Sequence, residues 1–160
     1  MIRQREPSDP DLAILVVAAT RGVVDRLQEA MRVAGLAEMR PPFGFVVRAL
    51  AETGLTLTEL AERLGVTKQA AIKVVDEMEA NGFVERRPAP GDRRSKILAL
   101  TERGRDVRRT ALAASHRIED ELRADLGDAD VDAARRVLLR FVEAVGGRDD
   151  VHAGRARPVW

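Results

Sequence analysis

The sequence predicts a mainly helical chain with one small β-hairpin, in which a lobe of short elements is flanked by long helices at either end. Three observations lead there. Apolar residues recur at three- and four-residue steps over most of the chain. Capping residues and glycines cut that pattern into segments of helical length. Between 83 and 100 the pattern changes to two short strands around a proline- and glycine-rich turn. With 160 residues, 45% of them hydrophobic and 33% charged, one such domain can bury a core of its own.

Asp9-Pro10 offers an N-cap followed by proline at the first helical position. From there Leu12, Leu15, Val16, Ala19, Val23, Leu27 and Ala30 trace a long amphipathic helix to about Val33, and Gly35 ends it. Pro41-Pro42 opens a second helix carrying Phe43, Val46, Val47 and Leu50, closed at Thr53-Gly54. Thr56 with Glu59 reads as a capping box for a short helix with Leu57, Leu60, Ala61 and Leu64 inside, and Gly65 supplies its left-handed stop. After Val66, Thr67 caps another helix that runs to Asn81-Gly82, with Ala70, Ala71, Val74, Val75 and Met78 inward. Phe83 to Arg87 reads as a strand, Pro88 to Asp92 as a turn and Lys96 to Leu100 as the returning strand. Thr101 caps a long helix with Val107, Ala111, Leu112, Ile118 and Leu122 on one side. Asp128 caps a last one with Val131, Ala134, Leu138, Phe141, Val142 and Val145 inside, and Asp130 and Asp132 complement its dipole. Gly146-Gly147 stops that helix, and 147–160 is expected to be a mobile tail. No internal repeat is visible.

Composition removes several function classes. There is no cysteine, so disulfide scaffolds, thiolate zinc sites and thiol-based peroxide sensing are excluded. His116 and His152 are too scattered for a metal centre, and no cofactor is expected. No nucleophile–base grouping, metal motif or phosphate-binding glycine loop is present, which argues against an enzyme. The longest apolar run, Leu12 to Ala19, falls well short of the roughly 18 residues of a membrane span. The N-terminus reaches Asp9 and Asp11 before any apolar stretch, so no secretory signal is read and a cytoplasmic location is expected. Net charge is only +1, but between Arg86 and Arg109 nine basic residues face three acidic ones, a local charge of +6 that leaves −5 elsewhere. Such a segment is either a DNA-binding face or a solvated charged surface.

Two short helices joined by a glycine turn and followed by a hairpin with a basic tip make the plan of a winged helix-turn-helix. In that plan the second helix enters the major groove with its N-terminal side chains toward base edges. Here that face is Thr67, Lys68, Gln69, Ile72 and Lys73. Gln69 can bond adenine bidentately, Lys68 can reach guanine or phosphate, and Ile72 can touch a thymine methyl. A tip bearing Arg93 and Arg94, with Lys96 behind it, suits the negative potential of an adjacent minor groove. A winged helix used for protein contact, without DNA binding, is the alternative; the retained basic wing speaks against it.

Three stretches resemble the MarR family of bacterial regulators: Thr58 to Ala70 (TELAERLGVTKQA), Asn81 to Arg86 (NGFVER), and Gly91 to Lys96 (GDRRSK) followed by Leu100 to Gly104 (LTERG). They lie between Leu55 and Arg105, about a third of the chain, in the family's order. The resemblance implies a homodimeric repressor on a pseudo-palindromic duplex DNA operator, associated with the nucleoid when bound. It also implies that an acidic residue of the wing pairs with a nearby arginine, roles that fall on Asp92 and Arg94. Position 72 departs from the family, where a small hydroxyl residue is common, so no operator sequence carries over. The implied division is dimerisation helices at 9–34 and 101–146 around a DNA-binding lobe at 41–100. Dimer contacts are then expected from Leu12, Leu15, Val16, Ala19, Ile118, Leu122, Leu138, Phe141, Val142 and Val145. Many relatives release DNA when a small, often aromatic anion enters a crevice between the dimer helices and the DNA-binding lobe. Arg21, Arg40, Phe43, Phe45 and Arg48 either line such a pocket, aromatic faces beside cations, or are ordinary core and solvated surface.

Overall fold

The computed structural model describes residues 10–89 and 91–144, and of residues 92–94 the backbone alone. Helix α1 (Leu12–Val33) starts at Asp11, whose carboxylate accepts a hydrogen bond from the Ile14 amide at 2.9 Å. The expected cap at Asp9, outside the described residues, is thus replaced by one two residues later. Pro10 has no N–H to offer and stands outside the helix.

Helix α2 (Pro41–Ala49) begins at its proline pair as expected but ends earlier than Thr53-Gly54, at the cap residue Leu50. The cause is a contact distant in sequence. Leu55 exchanges backbone hydrogen bonds with Leu98, at 3.2 and 2.7 Å, and residues 50–54 must bend to bring it there. Gly54 permits the approach, since a Cβ at this position would lie 2.7 Å from the Ile97 side chain and 3.2 Å from the Leu98 carbonyl.

Helix α3 (Leu57–Leu64) has the full capping box at its start, with Thr56 and Glu59 each accepting from the other's amide at 3.3 and 2.7 Å. Gly65 then adopts φ 64°, and Val66 N–H closes back on the Ala61 carbonyl. Helix α4 (Lys68–Ala80) is capped by Thr67, which accepts from the Ala70 amide at 3.2 Å. Ala71, Val75 and Met78 form its buried line; Ala70, expected inward, is exposed in the first turn.

The strands are β1 (Val84–Ala89) and β2 (Asp92–Leu100), paired antiparallel from Val84↔Leu100 to Pro88↔Lys96, with a register shift before Ala89↔Asp92. The first strand begins one residue later than expected because Phe83 N–H still closes the turn after α4, onto the Met78 carbonyl. The second is longer than expected because pairing continues past Lys96 across that shift.

Helix α5 (Glu102–Leu126) starts at Thr101, which accepts from the Gly104 amide and donates to the Gly82 carbonyl at 2.6 Å. Helix α6 (Asp128–Ala144) follows after Gly127. The core gathers Phe43, Val46, Leu60, Val75, Met78, Phe83, Leu98 and Val107 from α2, α3, α4, the hairpin and the start of α5. Helix α1 packs along α5, and α5 folds back on α6, which buries no residue fully. Of the last helix's expected inward residues, Leu138 and Phe141 stand exposed in the single chain, as do Leu112 and Leu122 of α5. Among the described residues, nothing covers this stripe. The Gly146-Gly147 stop and the 147–160 tail lie outside the described residues.

Candidate nucleic-acid interface

The glycine turn at 65 sets α4 against α3, and the buried line Ala71, Val75 and Met78 fixes which way α4 faces. The opposite side of its first two turns carries Thr67, Lys68, Gln69, Ile72 and Lys73, all exposed. The five residues read from the sequence as base-contacting therefore share one outward surface at a helix N-terminus. Partial positive charge from the unpaired amides there adds to the two lysines. Ile72, 37% exposed, is the apolar member of that surface.

Beside it stands the hairpin. Lys96 is exposed on β2; the side chains of Asp92, Arg93 and Arg94, and with them the expected wing pair, lie outside what is described. The basic segment behind the tip is not a single free positive surface. Arg86 turns to Asp76 (2.5 Å) and Glu79 of α4, and Arg87 turns to Glu85. Arg103 pairs with Glu38 at 2.6 Å, Arg105 with Glu102 at 2.7 Å, and Arg109 with Glu102 and Asp106. Arg105 and then Arg109 hold the Glu102 carboxyl below the ordinary glutamate range. Four carboxylates from outside this segment, Asp76, Glu79, Glu85 and Glu38, thus offset most of its +6.

The residues expected around a ligand crevice divide. Phe43 is fully buried and meets Phe83 edge to face, with ring centroids 6.3 Å apart. Its ring belongs to the core. Arg40 lies over that ring, 5.0 Å from its centroid, and pairs with Glu77 of α4. Phe45 is half-buried against the core, and Arg48 is exposed. Arg21 instead pairs within α1, with Asp25 at 3.8 Å. The structure therefore brings Arg40 and Phe43 together while committing both to protein partners. Sequence reading missed the arginine–carboxylate links to α4, because spacing along one element carries no signal of a partner on another. Among the described residues, no group of three or more His, Asp or Glu side chains is arranged to hold a metal ion. No described helix is long and apolar enough to cross a membrane.

Comparison with known proteins adds independent findings. The model of the MarR family matches residues 45–95. An uncharacterised protein of Mycobacterium tuberculosis is 31% identical over 98 residues, 59% of this chain and 68% of that one. The transcriptional repressor MprA of Escherichia coli is 32% identical over 85 residues, 53% of this chain and 48% of MprA. Among solved structures, CouR bound to a 23-mer DNA duplex superposes with a TM-score of 0.61 at 29% identity, covering 82% of this chain and 92% of CouR. CouR from Rhodococcus jostii bound to p-coumaroyl-CoA gives 0.62 at 26%, covering 86% and 95%.

Proposed function

The chain belongs to the MarR family of transcriptional regulators, and we propose that it binds duplex DNA as a homodimer, represses transcription from a pseudo-palindromic operator and is released by a small-molecule effector. The family consists of transcription regulators, not enzymes. The observation that carries the DNA-binding reading is the outward face of α4. Two lysines, a glutamine and an isoleucine share the exposed side of a helix N-terminus, above a fully buried Ala71–Val75–Met78 line. In this reading Gln69 and Lys68 address base edges, Ile72 a thymine methyl, and Thr67 and Lys73 the backbone. Arg93, Arg94 and Lys96 reach the adjacent minor groove, with Asp92 and Arg94 bracing the wing. The duplex bound to CouR supports the assignment by likeness.

Dimerisation is proposed through helices 9–34 and 101–146, around a DNA-binding lobe at 41–100. Its support is the uncovered apolar surface: Leu12, Leu15, Leu122, Leu138 and Phe141 are all about half exposed or more in the single chain. Val16, Ile118 and Val142 lie beside them half-buried, Ala19 is exposed, and Val145 is outside the described residues. Pairing two copies would set their recognition helices about one DNA turn apart, roughly 34–36 Å. For the effector, the thioester held by CouR makes an aromatic acid or its coenzyme A conjugate the chemistry to try first. Because Phe43 is core and Arg40 is already paired, such a ligand must enter by displacing contacts now made.

The testing experiment is selection of bound duplexes from random DNA by the purified full chain. A shared pseudo-palindrome among the enriched sequences is expected. Enrichment of no sequence over the starting pool would overturn the DNA-binding reading.

A further inference from the structure

The recognition helix carries its charge in an unusual order. Its last two turns hold Asp76, Glu77 and Glu79, and its last turn has no basic residue. Carboxylates at a helix C-terminus oppose the macrodipole, so this end gains nothing from its own backbone. Each of the three meets an arginine from another element. Arg86 of β1 reaches both Asp76 and Glu79, and Arg40, the residue that opens α2, reaches Glu77. Positions 76 and 79 share one side of the helix, whereas 77 lies roughly 100° around it. Two contacts on different sides resist rotation about the axis, and rotation is the motion that changes which side chains α4 presents outward.

We propose that Arg40 is a positioning residue for the recognition helix, holding with Arg86 the acidic end of α4 in the orientation that presents Lys68, Gln69, Ile72 and Lys73. A half-exposed ion pair ordinarily contributes little, because two long side chains must be ordered to make it. Here one of them is ordered in advance. The Arg40 guanidinium rests on the Phe43 ring, Phe43 meets Phe83 edge to face, and Phe83 lies under the Arg103 guanidinium at 5.1 Å. Arg103 in turn donates to Glu38 at 2.6 Å. Glu77 is thereby tied to a column of packed rings and cations that ends on α5.

The inference deepens the DNA-binding reading, and its affinity arm rests on that reading; its exchange arm does not. The test uses the full chain with Arg40→Met, which keeps an apolar stem on Phe43 but removes the charge. Arg32→Met serves as control, since Arg32 pairs with Glu29 inside α1 and removes the same charge away from α4. Amide hydrogen exchange along α4 is measured together with affinity, at fixed salt, for the duplex enriched by the parent protein and for an unrelated duplex of equal length. In Arg40→Met, α4 amides are expected to exchange about three- to tenfold faster, with α3 and α6 unchanged. Affinity for the enriched duplex should fall by a similar factor, and affinity for the unrelated duplex no more than in the control. Arg40→Lys, which keeps the cation on the ring, should retain most of both. Should Arg40→Met fail to fold, Glu77→Gln replaces it, leaving the ring stack intact, with Glu29→Gln, the partner of Arg32 inside α1, as its charge-matched control in place of Arg32→Met. The proposal is overturned if α4 exchange in the charge-removed variant matches that of its control, or if both duplexes lose affinity equally. If the parent enriches no duplex, the DNA-binding reading fails and the exchange comparison alone decides.

Discussion

Gly104 shows how a single residue can hold two elements together. A Cβ there would lie 2.1 Å from the Phe83 carbonyl oxygen, closer than any carbon can sit. Next to it Thr101 accepts from the Gly104 amide, donates to the Gly82 carbonyl and sends its own amide to the Phe83 carbonyl. The stretch Leu100 to Gly104 therefore seats α5 against the turn that ends α4. Gly104→Ala is expected to cost about 1–3 kcal/mol by forcing these backbones apart. A denaturant midpoint measured beside the parent checks it, and an unchanged midpoint would refute the close packing. The carboxylates give a second prediction. Glu102 is held below the ordinary range by Arg105 and then Arg109, Glu119 by Arg123 and then Arg135, and Glu59 by the Thr56 amide. A depressed folded pKa means stability that is present above the unfolded value near ~4.3 and lost as pH falls through the folded one. Thermal midpoints should be level from neutrality to about pH 5 and decline below that, less so in high salt, which screens these solvent-exposed pairs.

Among the elements, what could be read from sequence was whatever depends on neighbours in the chain. The Thr56–Glu59 box, the glycine stops at 35, 65 and 82 and the Thr67 and Thr101 caps rest on contacts within a few residues, and the hairpin pairs strands that its own turn brings together. The end of α2 was not legible, because it is set by Leu55 crossing to Leu98, and neither was the cap at Asp11, since Asp9 offers the same chemistry. At the site, the outward face of α4 followed from period alone, while the inward turn of Phe43 depends on Phe83, forty residues away. The same limit applies to Arg86, which composition placed in a basic patch and the fold gives to Asp76 and Glu79. The wing carries its own prediction. Arg94→Ala should weaken binding across many duplexes and lower the slope of log K against log salt by about two for a symmetric dimer, one per lost phosphate contact. Asp92→Ala separates contact from bracing: if it alone reproduces the whole loss, Arg94 acts by shaping the hairpin.

For the whole molecule, the helices at the two ends matter most. In the single chain they expose Val17 by 71% and Phe141 by 61%, and the segment Leu12 to Ala19 is apolar on every side. A helix apolar all round belongs inside something. Light scattering after size exclusion at micromolar concentration should return twice the monomer mass. Leu138→Asp should dissociate or misfold the protein, because it sets an unpaired charge in the apolar seam. A clean monomer from the parent would remove the dimer from the account. The claim on which the rest depends is that the α4 face reads DNA sequence. Its most direct measurement is equilibrium affinity of the parent and Gln69→Ala for the enriched duplex and for versions of it changed at each half-site position. Gln69→Ala is expected to lose about 1–3 kcal/mol on the best duplex and to relax preference at one position in each half-site. If Gln69→Ala, Arg94→Ala and Asp92→Ala all bind every duplex as the parent does, neither α4 nor the wing is the reading surface, and the account is wrong.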